Sequence, residues 1–171
     1  MNLLDLLNSG SKILKQNKIE TYQLDSELVL SSLLEKKREN LLISLNEKVT
    51  KNTINNFEKL IFRRVNKEPL AYILQKKEFW SKNFFVDRNT LIPRPETELL
   101  CESVIKVFRN NNLNILDMGT GTGCIILSIL SEMRTAKGIG IDISRKAIEV
   151  AKKNSKQLGL NKRVKFFNKS L

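Results

Sequence analysis

Three glycines at alternate positions, Gly119, Gly121 and Gly123, follow the apolar segment Ile115-Leu116-Asp117-Met118 and precede a helix-forming run that opens at Cys124. Glycine lets a backbone turn sharply and come close to a ligand, and the first turn of the following helix offers free N–H groups. A tight strand-to-helix connection with no ligand would satisfy the same pattern. The second constraint is Asp142, which ends the next apolar segment 19 positions after Gly123. An acidic side chain there can accept the hydroxyls of a ribose, so the pair of features predicts a nucleoside-containing cofactor.

The flanking pattern supplies the fold class. From Leu113 onward, strands at 114–118, 137–143 and 164–167 alternate with helices at 124–134 and 145–158. Apolar strands separated by helices predict a parallel α/β sheet. Charge then separates the candidate cofactors. A dinucleotide would bring its pyrophosphate to the turn, where Asp117, two residues before the first glycine, would repel it, and Cys124 holds the place of the third small residue of G-x-G-x-x-G/A. S-adenosylmethionine carries an ammonium and a sulfonium and no phosphate, so it suits an acidic strand end, and its carboxylate can use the helix N-terminus. The methyl donor is favoured over a nicotinamide cofactor.

The remainder of the chain is read around this segment. Residues 1–74 predict a helical domain with three amphipathic helices. The first carries Leu3, Leu6, Leu7, Ile13 and Leu14, and the second, with Leu24, Leu28, Leu30, Leu33 and Leu34, could begin near the capping residue Asp25. The third is capped near Thr50, carries Ile54, Phe57, Leu60, Ile61 and Val65, and stops at Pro69. A change of period at 70–87 predicts a β-hairpin linker, assigned to 75–90, with Leu70-Ala71-Tyr72-Ile73-Leu74 and Phe84-Phe85-Val86 strand-like and a turn at Lys82-Asn83. A helix from Pro95 to Asn110 then opens the cofactor-binding domain, 91–171, with Glu96 and Glu98 favourable to its dipole.

Composition excludes several chemistries. There is no histidine, which removes serine-histidine and cysteine-histidine nucleophile pairs and histidine-ligated zinc from this chain. Cys101 and Cys124 lack metal-ligand spacing and are expected as buried free thiols, and no metal site is expected. The start, Met1-Asn2-Leu3-Leu4-Asp5, has neither a basic n-region nor a long apolar run, so a cytoplasmic protein without membrane insertion is expected. The formal net charge is +12. Part of it gathers at Lys152, Lys153, Lys156, Lys162, Arg163 and Lys165, either a nucleic-acid footprint or a solvated face. No aromatic residues interleave with these cations, which favours the solvated face.

The motifs carry a specific resemblance. Asp117 to Gly123 resembles the first motif of class I methyltransferases, and Gly140-Ile141-Asp142-Ile143-Ser144 resembles their second. The string Ile92-Pro93-Arg94-Pro95-Glu96-Thr97-Glu98, preceded by Glu68-Pro69-Leu70-Ala71-Tyr72 and Glu78-Phe79-Trp80, resembles the protein-(glutamine) methyltransferases that act on peptide chain release factors.

The resemblance implies a helical N-terminal domain, a hairpin and the first half of a Rossmann-like methyltransferase domain. It implies transfer of a methyl group from S-adenosylmethionine to the glutamine of the Gly-Gly-Gln motif in class 1 release factors, the partners of a monomeric enzyme. Gly119, Thr120, Gly121, Thr122 and Gly123 would hold the methionine part, with Asp117 at the strand end, Asp142 on the ribose and Leu171 on the adenine. The helical domain and hairpin would receive the release factor. Pro93, Arg94 and Pro95 fit either an active-site entrance or a simple helix start.

Two departures follow. Ser170 and Leu171 stand where the family shows an acidic residue and an aromatic, and the Asn-Pro-Pro-Tyr string that orients the substrate amide is not in the sequence. A chain lacking that string is expected not to catalyse transfer on its own, and a cofactor- or partner-binding remnant without catalysis is an alternative reading. A nucleic-acid adenine methyltransferase shares a related string and is the competing enzyme, but the helical domain and the Ile92–Glu98 segment disfavour it.

Overall fold

The computed structural model describes residues 1–108 and 112–170. The chain divides into two compact units, Met1–Leu74 and Gln75–Leu171.

The first unit is helical: α1 (Leu3–Gln16), α2 (Tyr22–Leu33), α3 (Arg38–Ile43), α4 (Lys51–Val65) and α5 (Leu70–Leu74). Asn2 and Asp5 form a reciprocal capping box at α1, and Thr50 caps α4 through the Thr53 N–H. Both satisfy backbone donors that a helix start leaves open. The apolar stripes of α1, α2 and α4 meet around Leu6, Leu14, Leu30, Phe57 and Ile61, all buried. Gly10 permits the close approach of α1 to α4, because a Cβ there would stand 2.6 Å from Phe57 Cζ.

Two expectations for this region are corrected, and one element is added. The segment Leu70–Leu74 is the short helix α5, not a strand: Pro69 precedes it, the Tyr72 and Ile73 N–H groups bond to the Pro69 carbonyl, and Ile73 enters the helical core. A short apolar run fits either a buried strand or a helix, and Pro69 presets the backbone for a helical turn. Helix α2 begins at Tyr22 rather than near Asp25, which lies inside it and pairs with Arg64 at 2.6 Å. The buried partner 39 residues away holds the carboxylate that the sequence assigned to a cap. The six-residue helix α3 had no counterpart in the sequence reading.

The second unit opens with a hairpin, β1 (Lys77–Phe79) and β2 (Lys82–Phe84), paired antiparallel. Its turn is Trp80-Ser81, both at positive φ, rather than Lys82-Asn83. This is the backbone of a type I′ turn, which suits the twist of a two-residue hairpin but normally selects Asn or Gly. Outside contacts hold it here: Trp80 N–H donates to Glu98 Oε1 at 2.7 Å, and the indole N–H donates to Glu132. Phe79 and Phe84 stack edge to face and join the buried core.

A single 3₁₀ turn, Pro95–Thr97, leads into α6 (Glu98–Phe108), so the expected helix begins irregularly, and its expected end at Asn110 lies outside the described residues. Then follow β3 (Asn114–Met118), α7 (Cys124–Glu132), β4 (Lys137–Asp142), α8 (Arg145–Gln157) and β5 (Val164–Asn168). The strands form a parallel sheet in the order β3-β4-β5, in register Leu116↔Ile139↔Lys165. Ile126, Leu127, Leu130, Ile148 and Ala151 from α7 and α8 bury Phe166 and the glycines of β4 on one face. The opposite face leaves Leu116 and Met118 each 55% exposed and Ile139 42% exposed. Among the described residues β3 is therefore an edge strand with one apolar face open. Helices, an antiparallel hairpin and a three-stranded parallel sheet with helices make up a partial class I methyltransferase fold.

Candidate cofactor site

The site is built where β3 and β4 end side by side. After Met118 the chain leaves the sheet, and the N–H groups of Gly119 and Thr120 both donate to the Ile141 carbonyl, at 2.8 and 3.0 Å. The turn is thus sewn to the neighbouring strand. Gly119, Gly121 and Gly123 all lie at positive φ, which only glycine adopts without strain. A Cβ on Gly119 would meet nothing within 4 Å, so the turn presents bare backbone toward open space. Gly123 N–H closes the turn on the Thr120 carbonyl, and α7 begins immediately after.

Asp142 faces the same turn. Its Oδ2 accepts the Gly121 N–H at 2.9 Å and its Oδ1 accepts the Ser144 N–H at 2.8 Å. A carboxylate oxygen has room for about two hydrogen bonds, so one acceptor site on each oxygen remains for a pair of vicinal hydroxyls. Asp117 lies under the turn and accepts the Thr120 hydroxyl at 2.7 Å. Burial pushes its carboxyl above the ordinary range, opposed by the Thr120 hydroxyl and the Ile126 N–H and reinforced by the charge of Asp142. Two carboxylates beside one glycine turn disfavour a phosphate and favour a cation.

Asp117, Gly119, Thr120, Gly121, Thr122, Gly123 and Asp142 are therefore brought into one network. Pro93, Arg94 and Pro95 lie in the segment that turns into α6, with Pro93 buried and the other two exposed. Ser170 is exposed at the end of the description, and Leu171 falls outside the described residues. Cys101 and Cys124 are buried free thiols; burial pushes Cys101 up to about 12 and also raises Cys124. Of the six clustered cations, Arg163 is spent internally on the carbonyls of Leu130, Met133, Arg134 and Ala136, where it caps the end of α7. The other five are exposed, with Lys153 lying over the Phe85 ring.

Asn154, which no sequence motif marks, also belongs to this network. It is fully buried on α8, and its amide joins the Thr122 carbonyl to the backbone of Phe85. Its signal was a polar residue in register with Ala147, Ile148 and Ala151 on the apolar stripe of that helix.

A parallel sheet with a glycine turn after one strand, a tethered acidic residue ending the next and a second carboxylate beneath the turn is the arrangement of the class I methyltransferase fold. The model described as "PrmC N-terminal domain" matches residues 5–74, and that described as "Methyltransferase domain" matches residues 109–170. A release factor glutamine methyltransferase of Leptospira interrogans is 37% identical over 99% of this chain and 60% of that protein. One of Buchnera aphidicola is 42% identical over 85% of this chain and 52% of that protein. A bifunctional methyltransferase of Rickettsia prowazekii is 37% identical over 95% of this chain and 35% of that protein. The chain belongs to the release factor glutamine methyltransferase family, and it spans between about a third and three fifths of the length of these relatives.

No helix among the described residues is long and apolar enough to cross a membrane.

Proposed function

We propose that the chain is the release-factor-recognising and cofactor-binding part of a glutamine methyltransferase that uses S-adenosylmethionine. The observation that carries this is the Gly121 N–H bonded to Asp142 Oδ2, an acidic strand end held against the glycine turn in a chain of this family.

The backbone of Gly119, Thr120, Gly121, Thr122 and Gly123 would hold the methionine part, whose carboxylate meets the N-terminus of α7. The two carboxylates, Asp117 beneath the turn and Asp142 beside it, offset the positive charge of the ligand. Asp142 keeps free acceptor positions for both ribose hydroxyls while Gly121 and Ser144 fix its rotamer. When bound, the cofactor supplies an electrophilic methyl group on a sulfonium. Leu171 would pack on the adenine, and Ser170 beside it is a poorer acceptor than a carboxylate for the exocyclic amine.

Residues 1–74 and the hairpin would receive a class 1 release factor in the cytoplasm, with Pro93, Arg94 and Pro95 at the entrance for its Gly-Gly-Gln loop. Transfer to an amide nitrogen, a weak nucleophile, depends on orientation. The Asn-Pro-Pro-Tyr string that would provide it is not in these 171 residues, so the chain alone binds without transferring. The test is transfer of a labelled methyl group to unmethylated release factor by this chain and by one extended through that string. Labelling by the extended chain only is expected. Equal labelling by both would overturn the assignment of catalysis, and failure of the extended chain would overturn the activity.

A further inference from the structure

Resting on the cofactor reading above, we propose that Asn154 is a positioning residue that couples the glycine turn to the β1–β2 hairpin, so that occupancy of the cofactor site is felt at the hairpin. The side chain is fully buried, and each of its polar atoms is used. Its Nδ2 donates to the Thr122 carbonyl at 2.9 Å and to the Phe85 carbonyl at 3.0 Å, while its Oδ1 accepts the Phe85 N–H at 2.7 Å. The amide therefore pairs with both polar groups of the Phe85 peptide as a neighbouring strand would, and its remaining proton goes to the turn.

Neighbouring groups make this a mechanical junction rather than an isolated contact. One turn earlier on α8, Ala151 Cβ would stand 3.4 Å from a Cβ built at Gly123, so the helix leaves little room behind the turn. On the hairpin side Lys153 lies 3.2 Å from the centroid of the Phe85 ring, and Gln157 Nε2 donates to the Asn83 carbonyl at 3.0 Å. Helix α8 thus holds both segments, and Asn154 bonds with one amide to the glycine turn and to Phe85, the residue that directly follows β2. A ligand that settles on the turn from its open side presses on the segment that carries the Thr122 carbonyl. Asn154 can respond only by moving the Phe85 peptide or by giving up a buried hydrogen bond, which is costly.

The chain contains a single tryptophan, Trp80, and it lies in the hairpin turn. Its emission therefore reports the hairpin. S-adenosylhomocysteine added to the wild-type chain is expected to shift Trp80 emission and to slow hydrogen exchange of the Phe85 amide. Asn154→Leu keeps the number and branching of the side-chain heavy atoms and removes the hydrogen bonds; it is expected to weaken binding roughly tenfold and to abolish the Trp80 shift at saturating ligand. Asp142→Ala, which weakens the site itself, should move the Trp80 shift to higher ligand concentration, whereas a shift that keeps its midpoint would show that it does not report cofactor-site occupancy and would overturn the coupling. Binding to wild type with no change in Phe85 exchange would overturn the coupling and leave the cofactor reading standing, and that measurement needs no variant to fold. An unchanged Trp80 shift in a folded Asn154→Leu chain would also overturn it. No binding of S-adenosylhomocysteine by wild type would overturn the cofactor reading and the coupling with it.

Discussion

Gly121 N and Asp142 Oδ2 lie 2.9 Å apart, and this hydrogen bond ties the acidic end of β4 to the glycine turn. Asp142 therefore has two tasks, shaping the turn and offering its free acceptor positions. Asp142→Ala should weaken S-adenosylmethionine binding by about 1–3 kcal/mol, the usual loss for a charge-assisted hydrogen-bonding group. Isothermal calorimetry on the wild-type chain and the variant checks this. Unchanged affinity would remove Asp142 from the site.

Asp117 should impose a pH dependence on stability. Its folded-state pKa is raised above 3.8, chiefly by burial, so the folded chain holds this proton more tightly than the unfolded chain. Stability is then lost as pH rises from the unfolded value through the folded one. Asp117→Asn cannot ionise and keeps an acceptor for the Thr120 hydroxyl. Denaturant melts of both proteins between about pH 3.5 and about 7 should show the balance moving in favour of the variant as pH rises. A difference that does not vary with pH would contradict the shift.

In the helical unit, Gly10→Ala sets helix propensity against packing. Alanine favours a helix interior by about 1 kcal/mol, yet its Cβ would stand 2.6 Å from Phe57 Cζ and 2.9 Å from Ser26 Oγ. Overpacking of a buried site costs about 1–3 kcal/mol, so net destabilisation is expected in chemical unfolding. Paired with Phe57→Leu, which vacates the ring, the same substitution should cost less. Equal costs in both backgrounds would show that Phe57 is not the obstacle.

Cys101 and Cys124 should be unreactive in the folded chain. Both are buried, and burial raises both thiols, Cys101 to about 12, so little thiolate is present near neutral pH. Iodoacetamide followed by mass spectrometry should label neither until denaturant is added. Rapid labelling of the native chain would show that α6 opens away from α7.

Local features of the sequence determined much of this protein. The β3-α7-β4-α8-β5 alternation and the glycine turn were legible because side-chain periodicity and the left-handed freedom of Gly119, Gly121 and Gly123 belong to short stretches of chain. Asp142 was legible because a strand of known rise carries its last residue to the sheet edge where the turn lies. Tertiary structure decided what depended on distant partners. Leu70–Leu74 is helical because Pro69 starts it and the helical core receives Ile73. Asp25 sits within a helix because Arg64 pairs with it there. Trp80-Ser81 turns at positive φ where Glu98 holds the Trp80 backbone N–H and Glu132 its indole. Asn154 became visible only in three dimensions: its partners, Thr122 and Phe85, lie 32 and 69 residues away in sequence, and no local pattern records which buried carbonyls an amide will meet.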